Sequence, residues 1–76
     1  MTELDLLEIS FMNMVYYYRY QLMRVQRGSL ASKVFPEPIM KSLARNRILV
    51  PSFLRGRQYR LSDKTSALLQ VYSDEA

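Results

Sequence analysis

Cysteine and histidine are both missing from this chain of 76 residues. Their absence excludes disulfides, thiolate zinc sites, cysteine nucleophiles and the commonest general base together. Whatever stabilises the chain is packing, internal or with a partner. Glycine is scarce as well, and its two copies, Gly28 and Gly56, are accounted for by a helix end and a turn. That leaves no glycine-rich phosphate loop. Asp, Glu, Ser and Lys are present, but no two of them stand at a spacing that specifies a dyad. Neither an enzyme nor a cofactor is therefore expected, and no metal site either. Long apolar runs are also absent, because Glu8, Asn13 and Arg19 interrupt the first apolar segment before it reaches membrane-spanning length. The opening Met1-Thr2-Glu3-Leu4-Asp5 is acidic and lacks the basic lead of a signal peptide. These absences predict an intracellular, cytoplasmic protein with no membrane partner.

A length of 76 residues predicts one domain. Below about 70–80 residues a single core rarely supplies more than ~3–5 kcal/mol without staples or association. The net charge of +4 conceals an asymmetry. Glu3, Asp5 and Glu8 carry all the charge of the first ten residues, and Asp63, Lys64, Asp74 and Glu75 leave the end mildly acidic. Between them Arg19, Arg24, Arg27, Lys33, Lys41, Arg45, Arg47, Arg55, Arg57 and Arg60 face a single carboxylate, Glu37. A basic middle of this kind is the footprint of a phosphate-binding surface, where arginine supplies donor geometry and counterion release supplies affinity. A solvated basic face is the plainer alternative.

The first element is expected to be one long helix from Thr2 to Arg27, within a segment spanning residues 1–28. Thr2 and Asp5 have the form of a capping box, acids fill the first turns, arginines fill the last, and Gly28 stands where a left-handed cap ends a helix. At about 100° per residue, Leu4, Leu7, Phe11, Met14, Val15, Tyr18, Leu22 and Val25 share one face. A second apolar stripe, Ile9, Met12, Tyr16, Tyr20 and Met23, runs along nearly the opposite side. A helix apolar on two faces is either central in its fold or packed on another chain. So small a domain has few elements to cover both, and Tyr and Met are favoured at interfaces. Self-association or a protein partner is expected there.

Residues 29–72 read differently. Ser29 to Val34 suits a short helix capped by Ser29, with Leu30 and Val34 on one side. Phe35 joins the core, and Pro36-Glu37-Pro38 opens a further helix that runs to Arg45, since a first-turn proline loses no intrahelical bond. Ile39 and Leu43, with Met40 or Ala44, are expected inward; Glu37, Lys41, Ser42 and Arg45 outward; Asn46 is the expected left-handed terminator. Two short helices joined by a tight turn form a helix-turn-helix candidate. The run from Ile48 to Leu54 is β-prone with Pro51 marking an edge or bend, Arg55-Gly56 supplies a turn, and Arg57 to Leu61 alternates. Arg55 and Arg57 then flank a hairpin tip, as a probe for phosphates or a narrow minor groove, or as a solubilising loop. Ser62 caps the final helix, in which Leu68, Leu69 and Tyr72, with Ala67 or Val71, pack inward.

Asn46-Arg47-Ile48-Leu49-Val50, then Gly56-Arg57-Gln58-Tyr59-Arg60-Leu61-Ser62-Asp63-Lys64-Thr65, then Leu68-Leu69, resembles the winged-helix ending of MarR- and PadR-like transcriptional regulators. The resemblance covers Ser29 to Tyr72. It implies an α+β, mostly helical winged helix-turn-helix, with Glu37, Lys41, Ser42 and Arg45 at recognition-helix positions and Arg55 and Arg57 in the wing. Lys33 and Arg60 are placed to add phosphate contacts. The chain departs from that pattern where the family's glycine after the recognition helix is Asn46 or Arg47, where the glycine after the wing strand is Thr65, and in the shortness of the wing. The implied function is binding of double-stranded DNA by a small, dimeric transcriptional regulator or accessory factor associated with nucleoid or host-cell DNA. The alternative is a winged-helix adaptor, of viral or mobile-element size, that binds a protein.

Overall fold

A computed structural model of the protein describes residues 3–53 and 58–74. Its spine is two helices end to end, α1 (Glu3–Tyr17) and α2 (Arg19–Gln26). They are followed by a single-turn helix α3 (Ala31–Val34), α4 (Glu37–Arg45), strands β1 (Leu49–Pro51) and β2 (Tyr59–Leu61), and the closing helix α5 (Asp63–Asp74). The chain is thus α+β and mostly helical, with one small antiparallel sheet.

The expected continuous first helix is interrupted at Tyr18, whose backbone (φ −101°, ψ 18°) leaves the helical region. No glycine or proline marks the place; the cause is tertiary. α1 packs on α5, whereas α2 also serves α3 and β2, so the two halves answer to different neighbours. Tyr18 sits half-buried at the junction with its ring edge-on to Phe35 at 5.8 Å and to Tyr17 at 4.8 Å. The Arg19 guanidinium donates to the Tyr16 carbonyl at 2.7 Å, a side-chain bond of the kind that accompanies kinks. The Thr2 cap expected ahead of α1 lies outside the described residues.

Gly28 ends α2 as its position predicts. It has φ 120°, its N–H donates to Val25 O at 3.1 Å, and the Ser29 N–H donates to Arg24 O at 2.9 Å, the paired bonds of a Schellman cap. The next cap differs from expectation: Leu30, not Ser29, precedes α3, and no side chain caps it. Leu30 stays exposed and Ala31 is buried in its place. Four residues form one turn held by packing rather than by its ends. α4 starts and stops where Pro36, Pro38 and Arg45 suggested.

Among the described residues ten side chains make the core: Val15, Leu22 and Val25 from the spine, Ala31 and Phe35 around α3, Leu43 from α4, Ile48, Leu49 and Leu61 from the hairpin, and Leu69 from α5. The hairpin reaches this core through alternation. Leu49 pairs with Leu61 and both are buried, Val50 pairs with exposed Arg60, and Pro51 pairs with Tyr59 at the outer end. In a two-stranded sheet each strand is an edge, so Pro51 costs no central ladder bond. Ser62 caps α5, its hydroxyl accepting from Thr65 N–H at 3.3 Å. Thr65 itself is fully buried and its hydroxyl donates to Ile48 O at 3.2 Å, an oxygen that also accepts from Ser62 N–H at 3.0 Å. One buried hydroxyl therefore ties the start of the hairpin to the start of the closing helix. On α5, Leu69 is buried and Leu68 and Tyr72 are half-buried, while Ala67 and Val71 are exposed and do not join the packing side.

Candidate nucleic-acid interface

The residues singled out for DNA fall on consecutive elements. Lys33 lies on α3, Lys41, Ser42 and Arg45 lie on α4, and Arg60 lies on β2. Lys33, Lys41, Arg45 and Arg60 are exposed, as a phosphate-binding role requires. Ser42 is only half-buried, and its carbonyl accepts a 2.8 Å bond from the Asn46 side-chain amide, so it serves the helix end as well as the outer surface. The wing tip with Arg55 and Arg57 lies outside the described residues.

Local ion pairs temper two of these cations. Lys41 Nζ is 3.3 Å from Glu37 Oε1 one turn earlier, and Arg60 Nη1 is 3.6 Å from Asp63 Oδ1. Both pairs are exposed and therefore weak, so a phosphate can replace the carboxylate at little cost. Lys33, Arg45 and Arg47 form no ion pair with a carboxylate among the described residues. Glu37 nevertheless places a negative charge at the front of α4, which repels phosphate and offsets Lys41.

Arg47, counted in the basic stretch but not among the residues assigned to DNA, follows the end of α4. Asn46 is the expected left-handed terminator; instead Asn46 has φ −88° and Arg47 has φ 60°. The cap is again of Schellman type, with Ile48 N–H donating to Leu43 O at 2.9 Å and Arg47 N–H to Ala44 O at 3.1 Å. Burial of Ile48, directly after the turn, sets the position. A non-glycine residue held left-handed costs about 1–2 kcal/mol. The conformation also sets an exposed guanidinium between α4 and the hairpin.

Beside it lies an open groove of about 600 Å³, to which α1 contributes Leu7 and Phe11, the hairpin Val50, and the neighbouring elements Arg45, Arg47 and Lys64. Lys64 stands 4.8 Å from the Phe11 ring and 3.5 Å from Glu8 Oε1. Leu7, expected in the core, is instead exposed and lines this groove.

Of the second stripe of the first helix, Ile9, Met12, Tyr16 and Tyr20 are exposed. Met23 leaves it, because beyond the Tyr18 break α2 turns that side chain half into the core. Leu6 and Tyr17, which were not singled out, widen the exposed face.

Among the described residues no cluster of acidic, histidine or cysteine side chains is arranged to hold a metal ion, and no helix is long and apolar enough to cross a membrane. Comparison with protein-family models, with curated proteins and with solved structures gave no significant match for this chain.

Proposed function

We propose that this protein binds double-stranded DNA through a winged helix-turn-helix, as a small transcriptional regulator or DNA-associated accessory factor. The observation that carries the reading is the order of parts from α3 to α5. A short helix, a tight turn, a second helix, an antiparallel hairpin and a closing helix follow one another, with Lys33, Lys41, Arg45, Arg47 and Arg60 all exposed along them. In this arrangement α4 is the element offered to the major groove, with Lys41 and Arg45 on its outer side. Arg55 and Arg57 are assigned to the backbone or the minor groove, and Lys33, Arg47 and Arg60 to phosphates.

The test is fluorescence anisotropy of a labelled random-sequence duplex at low and near-physiological salt. Affinity should fall steeply with salt, each neutralised phosphate contributing about 0.9 to the slope of log K against log salt. Replacing Arg55 and Arg57 together by alanine should weaken binding to all sequences and flatten that slope by up to about 2. Unchanged affinity removes the wing from the interface, and no binding even at low salt refutes the DNA reading.

The exposed apolar side of α1 favours a second reading, a winged-helix adaptor that binds a protein. Loss of a partner complex on Tyr16→Glu, with the complex intact in Arg55→Ala and Arg57→Ala, would support it over DNA binding.

A further inference from the structure

We propose that the outer face of α1 is the contact between two copies of this chain, packed antiparallel about a two-fold axis at Asn13. Its apolar members Leu6, Ile9, Met12, Tyr16, Tyr17 and Tyr20 are 56, 44, 40, 50, 74 and 65 % exposed. Leu6 and Tyr20 stand seven residues to either side of Asn13 and Ile9 and Tyr17 stand four, and Asn13 itself lines a shallow groove with Leu6, Ile9 and Tyr17. Tyr20, just past the break, stays on this face because the Arg19 guanidinium carbon lies 3.9 Å from the Tyr16 ring centroid and 4.6 Å from that of Tyr20.

Three observations select a second copy as the occupant. The first is area. Three tyrosines at half to three-quarters exposure, with Leu6, Ile9 and Met12, offer on the order of 600 Å² per copy, hence about 1,200 Å² for a symmetric pair. That reaches the lower end of specific protein interfaces, at about 1,200–2,000 Å².

The second is charge. Glu3 and Asp5 stand at the start of α1, and Arg19 and Arg24 stand beyond its end. An antiparallel pair sets each acidic end against the basic end of the other copy and opposes the two helix dipoles, whereas a parallel pair would oppose like charges. The face is thus complementary to itself, as an isologous interface must be.

The third is preorganisation. Besides the Arg19 contact, the Tyr16 ring is held edge-on by Tyr72 at 5.2 Å, and the Tyr72 hydroxyl donates to Met12 O at 3.5 Å. Anchors held before docking reduce the entropy lost on association. With the axis at Asn13, Leu6 of one copy meets Tyr20 of the other and Ile9 meets Tyr17. Asn13 meets its own copy, where an amide pair can set the register, as polar residues do in helical interfaces.

The inference is independent of the DNA reading, and its assay contains no nucleic acid. Sedimentation equilibrium of the intact chain should give twice the 9.0 kDa of one copy. A monomer at about 100 µM protein overturns the proposal. Tyr16→Glu and Leu6→Glu, both at exposed positions, should each weaken the dimer by about 100-fold while leaving the far-ultraviolet spectrum unchanged. Dimers that resist both substitutions use another surface.

Because the chain has no cysteine, single introduced thiols report orientation. Oxidised Asn13→Cys should form a covalent dimer across the axis, and Leu6→Cys mixed with Tyr20→Cys should cross-link between variants. Tyr20→Cys alone should not, because two sites seven residues from the axis on opposite sides are about 21 Å apart, beyond the roughly 7 Å limit for a disulfide. Self-linking by Tyr20→Cys would mean parallel packing and overturn the proposal. So would a monomeric chain that uses this face only to bind a different protein.

Discussion

Replacing Arg47 by glycine should make the protein more stable and, on the DNA reading, a weaker binder. The residue is held at φ 60° by the two capping bonds at the end of α4 and by burial of Ile48 immediately after it. Relief of the left-handed penalty is worth about 1–2 kcal/mol. Glycine gives back about 0.5–1 kcal/mol through the greater freedom of its unfolded chain. The net gain is roughly 0.5–1 kcal/mol, or about 2–8 °C in Tm for a domain of this size. Urea unfolding followed by circular dichroism measures it, with an unchanged m-value confirming that only stability moved. Asn46→Gly is the matched control. It should lose stability, since Asn46 is not left-handed and its side chain donates to Ser42 O. A stabilised Asn46→Gly beside a destabilised Arg47→Gly would place the left-handed residue one position earlier and refute the reasoning. The functional arm follows from the same strain. Strained residues cluster at functional sites, and Arg47 is exposed among the proposed phosphate contacts, so Arg47→Gly should lower duplex affinity and reduce the salt slope by about 0.9.

Other substitutions probe further parts of the account. Thr65→Val removes a buried hydroxyl that bonds Ile48 O and approaches Ser62 Oγ at 2.7 Å, and should cost about 1–3 kcal/mol in urea unfolding. Thr65→Ser, which keeps the oxygen and loses the methyl group, should cost clearly less; a larger loss in the serine variant than in the valine variant would mean that the methyl group, not the bond, matters. Glu37→Gln releases Lys41 from its 3.3 Å partner and removes a charge that repels phosphate. Duplex affinity should rise severalfold at low salt and converge with the parent as salt increases; a fall would place Glu37 in direct base contact.

Much of this molecule follows from neighbours in the chain. Gly28 takes the left-handed cap because it pays no Cβ penalty, Pro36 and Pro38 open α4 because a first turn needs no amide donor, and Ser62 caps α5 through a residue three positions away. The alternation of Tyr59, Arg60 and Leu61, and the basic stretch from Arg19 to Arg60, are equally visible in the order of residues. Tertiary packing decided the rest. The break at Tyr18 arises because α1 and α2 have different neighbours, and a pattern that repeats every 3.6 residues carries no record of them. It also sends Met23 inward while Tyr16 and Tyr20 remain outside. Arg47 rather than Asn46 turns left-handed because Ile48 must be buried, although propensity alone favours asparagine. Thr65 is buried because its hydroxyl meets a carbonyl 17 residues away in sequence, a bond that becomes visible only once the hairpin folds back against α5. Local chemistry set where most elements start and stop. Long-range burial decided which way they bend and which side chains they leave exposed, because those choices depend on surfaces that exist only after the chain has folded.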